Sequence, residues 1–200
     1  MVYPALARDG STLVFRRLFD LYAWRPGNNS APERIAIRVE ADELPPGERR
    51  VTHSRASDAA FTADGLEIAF LAGGDVWVMD TELKEPRQVT DTPEEERDLT
   101  FTPDGESLYF VSDRDGSTDI YRARRGDPKA YWWRNETFPV DRITSDPEVE
   151  SDLRFAPDGK RLAYLRERGD LWTMTPDGQE RRRVLASWNR PDYQWSPDGR

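Results

Sequence analysis

The chain has no cysteine and a single histidine, His53, among its 200 residues. The first absence excludes disulfides, thiolate zinc sites and cysteine nucleophiles. The second puts most histidine-based metal sites and catalytic triads out of reach within this chain. No apolar run approaches the roughly 20 residues that a membrane-spanning helix needs. No segment of about ten residues or more shows helical periodicity. Basic residues are also in the minority: 29 Lys and Arg face 38 Asp and Glu, for a formal charge of −9. Such a surface repels phosphate backbones, so neither nucleic acid nor membrane is an expected partner. The basic runs Arg122–Arg125 and Arg181–Arg183 are short, have acids nearby and read as solvated strand edges.

What is present is an aromatic content of 11%, too high for a disordered chain, and a repeated phrase. Phe61-Thr-Ala-Asp-Gly65, Phe101-Thr-Pro-Asp-Gly105, Phe155-Ala-Pro-Asp-Gly159 and Trp195-Ser-Pro-Asp-Gly199 are copies of one segment, and Leu6-Ala-Arg-Asp-Gly10 is a degenerate fifth. Their aspartates, Asp9, Asp64, Asp104, Asp158 and Asp198, are spaced by 55, 40, 54 and 40 residues, a 40-residue unit twice expanded. Six residues before the aspartate of each full copy stands another: Asp58, Asp98, Asp152 and Asp192. After the turn come an aliphatic and an aromatic residue, as in Leu108 and Phe110, and then Asp-aliphatic-aromatic, as in Asp119-Ile-Tyr121. A short β-prone segment closes each unit: Arg50-Val-Thr52, Gln88-Val-Thr90, Arg142-Ile-Thr144 and Arg183-Val-Leu185.

Each unit reads as four short strands. Proline presets φ for the turn, and glycine (Gly65, Gly105, Gly159, Gly199) takes the positive φ that other residues resist. The residue between the aliphatic and aromatic positions of the second strand is apolar too: Val14, Ala69, Tyr109 and Ala163. A strand apolar on both faces must be covered on both faces. Four-stranded antiparallel meanders of about 40 residues, stacked face to face, predict an all-β fold of β-propeller blades. A β-sandwich is the alternative, but it would leave one face of each sheet polar. About four blades are accounted for, fewer than the unpaired faces at either end require, so the expectation is an incomplete ring taken from a longer protein.

Two expansions interrupt the register. The first holds Pro26-Gly-Asn-Asn-Ser30, a strand-like Arg34–Val39 and a polar stretch with Pro45-Pro-Gly47, which suits either a long loop or a junction between two propellers. The second, Arg125–Asp141, carries Tyr131, Trp132, Trp133 and Phe138. Clustered aromatics of this kind either form a binding surface or lengthen the outer strand and pack on the neighbouring blade.

The repeated phrase, with Ser112-Asp-Arg-Asp-Gly116 and Asp119-Ile-Tyr121, resembles the WD40-like repeat of the TolB and tricorn protease propellers over nearly the whole chain. Val51-Thr-His53, Ala59–Gly65 and Ile68–Val78 look like the start of the second propeller of tricorn-like serine peptidases. That resemblance implies that residues 1–43 are the last blade of one propeller, 44–50 a linker, and 51–200 the first blades of a second. It also implies a large parent hydrolase that trims peptides, with propellers that filter access to a catalytic domain lying after a PDZ-like module and outside this chain. The partners implied are peptide substrates of the parent, its remaining blades and its C-terminal domains. A homo-oligomer of the parent and a cytoplasmic or periplasmic location both stay open. A TolB-like protein-binding propeller without enzymatic activity is the alternative.

No catalytic, cofactor or metal residue is expected. His53-Ser54 is the one place where histidine neighbours a nucleophile, but adjacent strand residues point to opposite faces. Asp113–Asp119 has oxygens at a spacing that could suit calcium yet lacks the later bidentate glutamate, and reads as a hairpin turn. The series Asp58, Asp98, Asp152 and Asp192 could line a channel. Its recurrence at one repeat position favours a shared structural task instead, accepting backbone N–H groups near the strand start.

Overall fold

Each copy of the repeat folds as an antiparallel meander in the computed structural model, which describes residues 2–17, 20–27, 31–37 and 52–199. The first sheet comprises β1 (Val2–Leu6), β2 (Leu13–Arg17), β3 (Asp20–Trp24) and β4 (Glu33–Ile35). The second comprises β5 (Ala59–Phe61), β6 (Glu67–Ala72), β7 (Asp75–Asp80) and β8 (Arg87–Gln88). β9 (Glu96–Phe101), β10 (Ser107–Ser112), β11 (Asp119–Arg124) and β12 (Val140–Arg142) make the third. β13 (Glu150–Phe155), β14 (Leu162–Arg166), β15 (Asp170–Met174) and β16 (Arg182–Leu185) make the fourth. The fold is all-β: four four-stranded propeller blades, with one 3-10 turn at Trp132–Arg134 among the described residues.

The chain divides into two compact units, Met1–Arg50 and Val51–Arg200. In the first, β3 pairs with β4, with Leu21 opposite Ile35. The fourth strand of this blade is therefore Glu33–Ile35, inside the first expansion, and not Arg50–Thr52 as the repeat register suggests. Pairing with the adjacent strand overrides the 40-residue spacing. Arg50, Val51 and the expected linker 44–50 lie outside the described residues. In the second unit three sheets follow one another, with β9 beside β5 and β13, so first strands meet first strands. The three form an open arc and not a closed ring.

The turn after each first strand is built the same way. In the second sheet Gly65 N–H donates to the Thr62 carbonyl at 2.9 Å, and Thr62 N–H to the Glu67 carbonyl at 3.0 Å. Asp64 Oδ1 accepts the Thr62 hydroxyl at 2.6 Å and the Leu66 N–H at 3.1 Å. Asp104 repeats this with Thr102 and Glu106; Asp158 accepts the Lys160 N–H and Asp198 the Ser196 hydroxyl. These bonds to the ionised form hold the Asp64 and Asp104 carboxyls below the usual carboxylate range. Gly65, Gly105, Gly159 and Gly199 all sit at φ between 69° and 77°.

β10 shows why the second strands are apolar throughout. Leu108 and Phe110 join a core with Ala69, Leu71, Val76 and Val78 of the preceding sheet. Tyr109 and Val111, the alternate residues, join a second core with Leu162, Tyr164 and Met174 of the following one. A period of two thus feeds two cores from one strand.

The aspartates six residues ahead of the turn tie blade to blade. Asp58 accepts its neighbour Ala59 N–H on Oδ1 and, across the junction, the Leu99 N–H of β9 on Oδ2, both at 2.8 Å. Asp98 Oδ2 accepts the Asp152 N–H of β13 at 3.0 Å. Asp98 and Asp152 adopt φ near +53° and +55° where the β9/β10 and β13/β14 registers shift, a left-handed conformation that aspartate tolerates better than most residues. The Asp152 carboxylate instead faces Arg154 and Arg190, and Asp192 is exposed near Arg154. Replacing Asp58 by Ala removes two charge-assisted acceptors and is expected to cost about 2 kcal/mol. A urea midpoint followed by tryptophan fluorescence checks it, and an unchanged midpoint would remove Asp58 from the ties between blades.

Candidate functional site

The sister blades join their third and fourth strands by short turns, whereas β11 reaches β12 through residues 125–139. The ladder first continues, with Arg124 N–H donating to the Pro139 carbonyl at 2.9 Å and Gly126 N–H to the Thr137 carbonyl at 3.0 Å. A Cβ at Gly126 would lie 2.3 Å from Thr137 Oγ1, so only glycine lets the two arms approach. Buried Asn135 then organises the tip: its Oδ1 accepts the Asp127 N–H at 2.7 Å, and its Nδ2 donates to the Tyr131 carbonyl at 2.8 Å. The result is a rigid loop around the 3-10 turn and not a lengthened outer strand.

This loop separates the four sequence-flagged aromatics. Trp132 is fully buried. Its Nε1 donates to the Gly105 carbonyl at 2.9 Å, it meets Phe101 edge-on at 5.6 Å between ring centroids, and it stacks on half-buried Phe138 at 5.9 Å. Trp132 and Phe138 belong to the core shared by the second and third sheets. Trp132 is thus corrected from candidate binding surface to wedge, because a ring with no exposed area offers no face to a ligand. Tyr131 remains 48% exposed, and Trp133 is half-buried beneath the Arg134 guanidinium, 4.7 Å from its ring.

Tyr131 stands between two clefts of the same unit. One, of about 210 Å³, is lined by Asp64, Glu67, Asp104, Glu106, Arg125 and Tyr131. The other, of about 200 Å³, is lined on its apolar side by Leu66, Leu83, Tyr131 and Trp133. Leu66 and Leu83 are exposed. Glu67 bridges the two clefts: its Oε1 accepts the Trp133 N–H at 3.2 Å, and burial raises its carboxyl above the usual range. Arg125 pairs with Glu106 at 2.7 Å and donates to the Ala130 carbonyl at 3.0 Å. An aromatic and aliphatic shelf beside carboxylates can hold an extended polypeptide segment, the shelf taking apolar side chains and the acids a cation.

The remaining flagged residues lie apart from this site. His53 covers Gly73, where a Cβ would come within 2.3 Å of the imidazole, and tilts against Trp77 at 6.0 Å. In the Asp113–Asp119 hairpin, Asp115 accepts the Tyr121 hydroxyl at 2.6 Å, and Asp119 takes the Ser117 hydroxyl and an Arg142 N–H, each at 2.6 Å. These oxygens are occupied by donors of their own blade. Among the described residues no group of three or more His, Cys, Asp or Glu side chains could hold a metal ion.

Two sets of residues have tasks that the sequence reading did not assign. The aspartates opening each third strand fasten the chain that leaves the blade: Asp75 Oδ1 accepts the Thr92 N–H at 3.3 Å, Asp119 Oδ1 the Asp146 N–H at 3.1 Å, and Asp170 Oδ1 the Ser187 N–H at 2.8 Å. Their constant place in the repeat was a usable signal. Glu67 had none, since Ser107 and Arg161 replace it in the sister blades.

The architecture is that of a β-propeller. Its fold is similar to those of solved TolB and tricorn protease structures, the proteins whose repeat the phrase resembles. No protein-family model matches the sequence, and no curated protein matches it. Among solved structures, a protein described as TolB from Agrobacterium tumefaciens is 20% identical, with a TM-score of 0.57 over 98% of this chain and 86% of that one. TolB from Acinetobacter baumannii is 19% identical, with a TM-score of 0.55 over 99% of this chain and 46% of that one. The tricorn protease is 18% identical, with a TM-score of 0.60 over 99% of this chain. The chain spans 18% of the tricorn protease's length. At such identities the shared property is the fold.

The geometry separates the effects of substituting two adjacent residues. Trp132→Ala is expected to cost about 3–5 kcal/mol by emptying the wedge between blades. Tyr131→Ala is expected to stay within about 0.5 kcal/mol of the parent chain. Thermal unfolding of the two variants checks the contrast.

Proposed function

We propose that this chain is a non-catalytic β-propeller segment of a tricorn-like serine peptidase, scaffolding and filtering peptide access to a catalytic domain outside the chain. In this reading residues 1–43 are the last blade of one propeller, 44–50 a linker, and 51–200 the first blades of the next. The observation that carries it is the Tyr131 site: a rigid loop inserted in the third sheet, exposing an aromatic ring between an apolar and an acidic cleft. The likeness to the tricorn protease over 99% of the chain supports the parent class. The boundary between compact units at Arg50 and Val51 supports the propeller junction. A TolB-like protein-binding propeller is the second reading, favoured by the 86% of the Agrobacterium protein that the chain spans.

Fluorescence anisotropy with labelled unstructured peptides tests the proposal on the whole chain. Saturable binding, weakened roughly fivefold or more by Tyr131→Ala, is the expected result. Failure to bind peptides, with retention of a folded protein partner, would move the assignment to the TolB-like reading. Cleavage of fluorogenic peptides by the chain itself would overturn the non-catalytic role.

A further inference from the structure

The two junctions within the second unit are built on the same pair of residues, a threonine leaving one blade and a glutamate opening the next. At the first, Thr90 Oγ1 accepts the Val76 N–H at 2.9 Å and lies 3.3 Å from Glu96 Oε2. At the second, Thr144 Oγ1 accepts the Ile120 N–H at 2.8 Å and donates to Glu150 Oε2. Both glutamates are essentially without solvent exposure.

Their surroundings differ in one respect. Glu96 Oε1 receives Arg114 Nη2 at 2.8 Å, the Thr92 hydroxyl at 3.1 Å and the Ser112 hydroxyl at 3.3 Å. Glu150 Oε1 is buried with no hydrogen-bond partner, and so is the hydroxyl of Tyr164 on the adjacent strand. Hairpin length accounts for the contrast. Six residues, 113–118, link β10 to β11 and carry Arg114 back over Phe110 and Tyr121 to the carboxylate. Three residues, 167–169, link β14 to β15, and the corresponding Arg168 is exposed. Arg166, paired with Glu150 in the strand register, turns instead to Glu148 at 2.5 Å and Asp146 at 3.6 Å.

Among the described residues no other cation forms an ion pair with Glu150. Asp119 at the start of β11 is bound to Arg142 of β12, and Asp146 in the connecting segment is bound to Arg181 from the β15–β16 turn. Asp119 and Asp146 act on Glu150 as like charges, opposed by Arg181, and burial dominates, raising its carboxyl to about 7. Burial and then the Glu150 charge push the Tyr164 hydroxyl up to about 12.

We propose that Glu150 is a proton-operated clasp between the third and fourth sheets: protonated it holds the junction closed, and ionised it loosens it. A neutral carboxyl keeps its bond to Thr144 without needing a counterion, whereas a buried unpaired charge is costly. A carboxyl whose folded-state value is raised stabilises most at low pH and loses that contribution as pH rises through the folded value. Over pH 6 to 8 the opening constant of the fourth sheet therefore rises about tenfold.

Hydrogen exchange by mass spectrometry on the whole chain tests this. Exchange corrected for its intrinsic pH dependence is expected to rise about tenfold from pH 6 to 8 across β13 to β15, and to rise less at the β6–β10 junction, where burial also raises the Glu96 carboxyl but Arg114 opposes it. Glu150→Gln is expected to abolish that rise. Arg114→Gln, which strips Glu96 of its cation, is expected to enlarge the dependence at the first junction toward that of the second. An equal rise at both junctions of the unaltered chain would overturn the clasp, even if Glu150→Gln did not fold; so would an undiminished rise in folded Glu150→Gln.

Discussion

Every sheet of the second unit must be covered on both faces, and the rest of the structure follows from that demand. A strand such as Ser107–Ser112 delivers Leu108 and Phe110 to one core and Tyr109 and Val111 to another. A lone sheet of this composition would leave one of those sets in water, at roughly 1.5–3 kcal/mol for each large side chain. Stacking copies of the same unit resolves the conflict. The stack needs its own means of holding register, and the aspartate-to-backbone bonds from Asp58 to Leu99 and from Asp98 to Asp152 provide it.

Repetition also makes departures informative. The turn aspartates, the third-strand aspartates and the Thr–Glu pairs recur because each blade presents the same orphaned N–H groups to its surroundings. Where one blade departs, the chemistry changes. The 125–139 insertion adds a tryptophan wedge and leaves Tyr131 beside two clefts. The shorter 167–169 hairpin removes a cation from a buried glutamate. Both differences arise in loops, whose length varies without disturbing the strands they join.

The strands were largely legible in the sequence. The Asp-Gly turns, the apolar alternation and the Asp-aliphatic-aromatic starts place β5 to β16 within a residue or two. The first blade's closing strand was less legible: Glu33–Ile35 carries a weak β signal, while Arg50–Thr52 fits the repeat spacing better. The aromatic insert was conspicuous as composition, yet its division into a buried Trp132 and an exposed Tyr131 was not. Neighbouring residues in an irregular loop have no fixed period from which to assign a face.

Glu67 and Glu150 show the boundary most clearly. By itself the sequence determined the unit, its turns and the need for stacking, because these rest on spacing along the chain: two residues for a strand face, four for the turn, about 40 for a blade. Only the tertiary structure decided which carboxylates are buried, which cation reaches which acid and which ring faces solvent. Those outcomes depend on distances between residues remote in sequence, such as Glu67 and Trp133 or Thr144 and Ile120, and a local pattern does not encode them.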